Sequence, residues 1–186
     1  IELKKDDLVW RLNLVKVSGF MPSGIMLDYA GGHIDNPTAL QLVQSIKDHV
    51  PYGFELIPGF QYRNLLIHKN GLNGPEADWC ITPPHDLINK PIGPDLQLFA
   101  QNQGLTKFLQ TSAKILEAPD NPSQVNALWP WGQGPRLSLP DFYENYGWQG
   151  AVISAVDLIK GLGRASGMQV LDIPGATGLL DTNYEG

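Results

Sequence analysis

The side chains best suited to chemistry in this sequence are arginines and polar residues set inside short apolar runs. Arg11 and Asn13 interrupt the run "LVWRLNLVKV" two positions apart. Alternate residues of a β-strand point to the same side, so a strand here would place both on one face. A partly buried guanidinium needs an anionic or carbonyl partner, and it binds carboxylate and phosphate through two parallel N–H groups. This pair therefore predicts either a structural ion pair or a site for a small anion.

Three further segments carry polar residues beside predicted turns or strands. Arg63 lies at the start of the apolar run in "FQYRNLLIHKNG". Asp28 and His33 flank the two glycines of "DYAGGHI", where backbone N–H groups can approach a ligand, although an ordinary Asx turn fits the same residues. His85 and Asp86 follow the prolines of "ITPPHD", so they form either a preorganised hydrogen-bonding pair or a cap of their own loop.

These segments predict a shared site. We expect Arg11, Arg63 and His85 to lie in one concave patch, because each stands on or beside a strand and next to a loop that can open at the same sheet end. The segment "WPWGQGP" is either a stacking platform for a ligand or, more ordinarily, part of the core. Lys160, in "DLIKG", is a weaker candidate for a phosphate contact, since a lysine on a helix is usually exposed.

The composition and the absence of certain motifs exclude several other functions. A net charge of −6 over 186 residues argues against a general nucleic-acid binder. The sequence contains neither a P-loop nor a G-x-S-x-G motif, and no two of its four histidines have the i,i+4 spacing of a metal pair, so we expect no complete metal site here. No apolar run approaches the roughly 18 residues of a membrane helix. The single cysteine, Cys80, indicates a reducing compartment, and we expect a cytoplasmic protein.

Hydrophobic periodicity and turn signals predict the elements that must position these side chains. The predicted strands are residues 8–17, 24–29, 53–57, 62–69 and 127–131, and the predicted helices are residues 37–49, 94–118 and 139–146. Ser138 and Asp141 predict a capping box for the last helix. The closing residues predict a strand, a helix and a strand at 150–154, 155–165 and 168–173. We therefore predict an α+β fold, a two-layer sandwich of a mostly antiparallel sheet with helices on one face, closing with a βαβ element.

Taken together, the quoted motifs resemble a known family. With "MLDYAGGHI" and "LPDFYENYGWQGAVISAVDLIKGLGRASGMQVLDIPGATGLLDTNY", they follow the order seen in archaeal-type 2,3-bisphosphoglycerate-independent phosphoglycerate mutases. These are metalloenzymes of the alkaline phosphatase superfamily, and the bacterial branch also labelled proposed homoserine kinase is the most similar in appearance. The resemblance covers nearly all of residues 8–184, and the final stretch is its most specific part.

The resemblance implies a role for the whole chain. Residues 1–186 would form the substrate-binding domain inserted into a larger metalloenzyme, with both ends cut from a longer protein. Two divalent metal ions (Mn, Zn, Mg or Co) and a serine nucleophile would lie in a catalytic core built from the missing flanks, so that no metal is expected in this chain and the isolated chain is expected to be inactive. The enzyme would interconvert 3- and 2-phosphoglycerate through a phosphoserine on that core.

The resemblance also assigns roles to the candidate residues. Arg11 and Arg63 would bind the carboxylate or phosphate of the substrate. The remaining candidates would bind hydroxyl groups, shuttle a proton or contact phosphate: Asn13, Asp28, His33, His85, Asp86 and Lys160. We expect the partners to be phosphoglycerate, or a similar phosphorylated hydroxy acid, and the missing core of the same chain, with no nucleic acid and no membrane.

One departure from the family pattern keeps other functions open. Archaeal members tend to read "DRRAGRI" where this chain has "DYAGGHI", so that Tyr29 and His33 stand at positions expected to be arginine. A neutral or partly protonated imidazole supplies less fixed positive charge than a guanidinium. The alternatives are therefore a related phosphotransferase acting on another hydroxy acid, such as homoserine, and a non-catalytic α/β domain that senses a small molecule.

Overall fold

The computed structural model describes residues 2–178, 180 and 182–184 of the chain. It divides the chain into two compact units, Ile1–Arg136 and Leu137–Gly186. Part of the closing "GLLDTNY" segment that contributes to the resemblance lies outside the described residues, namely Leu179 and Asp181.

The first unit is built on a five-stranded antiparallel sheet. Its strands are β1 (Leu8–Val17), β2 (Met26–Asp28), β3 (Phe54–Ile57), β4 (Arg63–His68) and β5 (Ala127–Gly134). The long strand β1 pairs with β2, β4 and β5, and β4 pairs in turn with β3. The even-numbered residues of β1 from Leu8 to Leu14 are at most 1% exposed, so one face of this strand lies in the core.

Three helices complete the first unit: α1 (Asn36–Ile46), α2 (Gly93–Phe99) and α3 (Gln103–Leu116). Short 3-10 helices lie at Lys47–His49, Gly71–Asn73 and Pro75–Asp78. α1 and α3 bury apolar residues at helical spacing in the same hydrophobic core as the β1 face, as expected for amphipathic helices.

The single helix predicted over residues 94–118 is wrong, because the chain forms α2 and α3 there. The Asn102 side chain accepts a hydrogen bond from the Leu105 backbone N–H at 2.9 Å and is the N-cap of α3. Asparagine at such a position competes with the helical backbone for hydrogen bonds and favours a new helix start over continuation.

The second unit contains α4 (Phe142–Tyr146), β6 (Ala151–Ile153), α5 (Asp157–Ala165) and β7 (Gln169–Leu171). β6 and β7 pair in parallel, so the predicted closing βαβ element is confirmed. The predicted helix 139–146 begins later than expected, because Asp141 and not Ser138 is the N-cap: its carboxylate accepts from the N–H groups of Tyr143 and Glu144. The α+β class, with a mostly antiparallel sheet, is confirmed.

Candidate anion-binding site

Strand register brings the two candidate arginines to one face of the sheet. Asn13 on β1 is directly opposite Arg63 on β4. Residues opposite each other in an antiparallel pair share a face, and so do residues two apart on one strand. Arg11, Asn13 and Arg63 therefore lie on the same side, which is the side of β1 away from Trp10 and the core. Both arginines are exposed.

Each guanidinium rests on an aromatic ring. The Arg11 guanidinium carbon lies 4.8 Å from the centre of the Trp131 ring, and the Arg63 guanidinium carbon lies 4.3 Å from the centre of the Tyr62 ring. Stacking of this kind orients a guanidinium while leaving its N–H edge free for a ligand. Among the described residues, no carboxylate lies within 4.0 Å of either arginine, so the structural ion pair considered for Arg11 does not form there.

Histidine and tyrosine rings connect the two arginines into one cluster. Tyr29 is at its centre: its ring centre lies 6.0 Å from that of Tyr62, 6.3 Å from that of His33 and 6.2 Å from that of His85, each in an edge-to-face arrangement. His85 in turn contacts Trp131, with ring centres 5.3 Å apart. The structure thus brings Arg11, Arg63 and His85 into one patch, as expected from the sequence, and the concave shape of that patch stays a prediction.

Two candidate residues, Asn13 and Asp28, make hydrogen bonds that shape this cluster. The Asn13 amide donates to the Tyr29 carbonyl and accepts from the Trp131 indole N–H, both at 3.0 Å. The Asp28 carboxylate accepts from the backbone N–H groups of Ala30 and Gly32 at 2.6 and 3.1 Å, which is the Asx turn considered for this segment. Both side chains hold the segment that carries Tyr29 and His33.

The loop that carries His85 is anchored at Thr82. The Thr82 N–H donates to the buried Asp95 carboxylate at 2.7 Å, and its carbonyl accepts from the Trp129 indole at 3.0 Å. Burial raises the pKa of Asp95, and the hydrogen bonds from Thr82 offset part of that rise. This anchoring fixes the base of the proline-containing loop that positions the imidazole.

The other two candidates are Asp86, beside His85, and Lys160, in the second unit. Asp86 is exposed, and its carboxylate lies 3.9 Å from the imidazole of His85. Lys160 lies in the second unit on α5, where its ammonium pairs with Asp172 at 2.6 Å and lowers the pKa of that carboxyl group. With Ile153, Ser154 and Leu171, this pair lines a pocket at the carboxyl ends of β6 and β7.

The sequence did not predict the ring contacts that organise the face, which involve Tyr29, Tyr62 and Trp131. Tyr62 adjoins Arg63, which was a usable signal, because a tyrosine beside an exposed arginine can stack on it. In "WPWGQGP" the core alternative holds for Trp129, and a stacking platform for a ligand at Trp131 stays a prediction. Trp129 is fully buried, as a core residue is, whereas Trp131 is partly buried and meets Arg11.

The described part of the chain has neither a metal-binding cluster nor a membrane-spanning helix. No three His, Cys, Asp or Glu side chains among the described residues are placed to share a metal ion. No helix among the same residues is both long and apolar enough to cross a membrane.

Comparison with known proteins agrees with this fold. The family described as 2,3-bisphosphoglycerate-independent phosphoglycerate mutase matches residues 1–121. The enzyme of that name from Methanothrix thermoacetophila is 41% identical to this chain, over the whole of this chain and 47% of its own length. A probable one from Geobacter sulfurreducens is 33% identical, over the whole of this chain and 48% of its own length. The solved PH0037 protein from Pyrococcus horikoshii shares the fold, with a TM-score of 0.60 and 22% identity over 98% of this chain and 42% of its own.

The fold and the face define a mixed α+β domain with two exposed, ring-stacked guanidinium groups on one side of its sheet. The chain belongs to the 2,3-bisphosphoglycerate-independent phosphoglycerate mutase family. It spans about half the length of the curated relatives it matches.

Proposed function

We propose that this chain is the substrate-binding part of a metal-dependent phosphoglycerate mutase, and that the Arg11–Arg63 face binds phosphoglycerate. The observation that supports this most strongly is the pair of guanidinium groups on one face, each stacked on an aromatic ring and without a carboxylate partner among the described residues. Uncompensated guanidinium groups attract anions, and phosphoglycerate carries a carboxylate and a phosphate that each fit the guanidinium fork.

In this proposal the chain holds and orients the substrate. Arg11 and Arg63 bind its two anionic groups, while His33 and His85 form hydrogen bonds to its hydroxyl and phosphate oxygens. Asn13 and Asp28 act mainly through the loop that they hold, as their hydrogen bonds indicate. A substrate held at both ends can then be presented in either of the two orientations that the 2- and 3-phosphates require.

The second unit has features that favour packing against the remainder of a longer protein. β6 and β7 pair with each other and with no other described strand. Parallel strands are ordinarily covered on both faces. Here large apolar side chains of β6 and α5 are at least 39% exposed, namely Ile153, Leu158, Ile159 and Leu162. We propose that Leu137–Gly186 returns the chain to a catalytic core formed by the remainder of the protein.

The proposed core supplies the phosphoryl-transfer groups. The serine nucleophile and the two divalent ions (Mn, Zn, Mg or Co) are assigned to it, because the described residues offer no metal site. The glycolytic assignment and the cytoplasmic location follow from the mutase reaction and are part of the same proposal.

A second substrate class is kept open by Tyr29 and His33. These residues stand in the cluster where the family pattern has arginines, so the face carries two fixed cations. A phosphotransferase acting on another hydroxy acid, homoserine included, would need fewer fixed charges than a mutase that grips two anionic groups.

The test uses the full-length protein that contains this chain. We expect it to convert 3- to 2-phosphoglycerate in a reaction that EDTA abolishes and added Mn²⁺ restores, whereas the 186-residue chain alone gives no conversion above buffer. Homoserine with ATP serves as the competing substrate pair. Homoserine phosphorylation without mutase activity would establish the second class, and conversion by the isolated chain would contradict the assignment of the chemistry to the core.

A further inference from the structure

Trp131 lies at the junction of the arginine face and the histidine loop. Strand β5 places it directly opposite Arg11 of β1, so that the two side chains share a face. Trp131 is partly buried, unlike its neighbour Trp129, which is fully buried. Its ring is therefore part of the surface of the site as well as of its support.

The indole of Trp131 contacts three candidate residues. Its face carries the Arg11 guanidinium at 4.8 Å. Its ring meets the His85 imidazole at 5.3 Å and 77°. Its N–H donates to the Asn13 amide oxygen at 3.0 Å. Arg11 and Asn13 come from β1, whereas His85 comes from the loop before α2, so this side chain links two separate segments of the first unit.

The backbone on both sides of Trp131 is itself constrained. Pro130 precedes it, and the ring of a proline fixes φ. Gly132 follows with φ +58, a conformation that strains other residues. The Gln133 side chain then donates to the carbonyls of Glu76 and Trp79. The backbone that carries the indole is therefore constrained on both sides within its own strand.

We propose that Trp131 is a positioning residue of the phosphoglycerate site, which holds Arg11 and His85 in their ligand-binding orientations. The inference rests on the proposed function, and it adds a role for Trp131 to the substrate contacts proposed for the arginines. A guanidinium already held on a ring loses less conformational freedom when it binds an oxyanion, so removal of the ring weakens substrate binding through Arg11.

The test compares Trp131→Leu and Trp131→Phe in the full-length enzyme. We expect Trp131→Leu to raise KM and the calorimetric Kd for 3-phosphoglycerate about tenfold, with kcat nearly unchanged, because the lost contacts act on binding. Trp131→Phe keeps a ring beneath Arg11 but loses the N–H to Asn13, so it should recover part of the affinity. The NMR chemical shifts of the His85 ring protons should differ between the wild type and Trp131→Leu, because the variant lacks the ring current of the indole.

The matched control is Trp10→Phe, which alters a fully buried indole on the core side of β1 that has no hydrogen-bond partner in the described residues. It should lower Tm and leave KM unchanged. Wild-type KM in both Trp131 variants, with only a lower Tm, would overturn the positioning role while the mutase assignment stands. Failure of the wild-type enzyme itself to bind or convert phosphoglycerate would instead reject the proposed function, and the role of Trp131 with it.

Discussion

Asn13 and Arg63 are directly opposite each other across β1 and β4, in antiparallel register. This pairing places an amide that is fixed by Tyr29 and Trp131 beside an arginine that rests on Tyr62. The relationship joins residues that are distant in sequence into one face, and it is the geometric basis of the proposed site.

Asp28 tests whether the loop of the site is held by hydrogen bonds to its backbone. Asp28→Ala removes the acceptors for Ala30 and Gly32, so we expect a loss of about 1–3 kcal/mol in the free energy of unfolding and a higher KM. Asp28→Asn keeps one acceptor oxygen and should be intermediate in both. Denaturant unfolding and steady-state kinetics on the same preparations measure this. Full stability combined with lost activity in Asp28→Ala would indicate direct contact with the substrate instead.

Gly31 tests the packing of the same loop against the body of the first unit. A Cβ added at Gly31 would lie 2.3 Å from the Val125 side chain, and the residue has φ +59. Gly53 has φ +84 with no atom within 4 Å of such a Cβ. Gly53→Ala is therefore the control, because it adds backbone strain without a steric clash. Gly53→Ala should cost about 1 kcal/mol, and Gly31→Ala about 1–3 kcal/mol more. Equal losses in thermal unfolding would show that the loop is free to move away from Val125.

Asp95 gives a prediction for the pH dependence of stability. Its pKa is raised in the folded protein by burial, so the folded state favours the protonated carboxyl. The contribution of Asp95 to the free energy of unfolding is therefore fully present below the pKa of the unfolded state, near 3.8. It is lost as pH rises through the pKa of the folded state. Asp95→Asn keeps an acceptor for Thr82 and carries no charge.

We therefore expect Asp95→Asn to be at least as stable as the wild type at pH 7, and to lose this advantage as pH falls toward 4. Asp95→Ala is the comparison, because it removes the acceptor and should be less stable by about 1–2 kcal/mol. Urea unfolding between pH 4 and 7 provides the measurement. A variant Asp95→Asn that is markedly less stable than the wild type at pH 7 would show that the carboxylate is ionised and needed.

Much of the fold follows from local sequence patterns. The β1 bounds, Leu8–Val17, and the parallel closing element were predicted because apolar periodicity and turn residues are local signals. The break between α2 and α3 was not predicted, because Gln101 and Asn102 are also compatible with a helix interior. In the structure Asn102 instead caps the first turn of α3. Propensity alone does not decide between these two uses of asparagine.

The site was predictable in part. Arg11, Arg63 and His85 were expected in one patch from their positions beside strands, and the structure brings them together. The connecting rings were not predicted, because Trp131 meets His85 only after β5 has paired with β1, and no local pattern gives that register. Whether the candidate residues bind substrate stays a prediction.

The central claim is that Arg11 and Arg63 bind the substrate, and the affinity of the full-length enzyme for 3-phosphoglycerate tests it most directly. Arg11→Lys and Arg63→Lys keep the charge but lose the planar fork, so each should lower kcat/KM by about 10- to 150-fold, corresponding to about 1.5–3 kcal/mol, with a matching rise in the calorimetric Kd. Arg136→Lys, at an exposed arginine, is the matched control and should bind like the wild type. Wild-type affinity in both Arg11→Lys and Arg63→Lys, with any loss confined to Tm, would contradict the account.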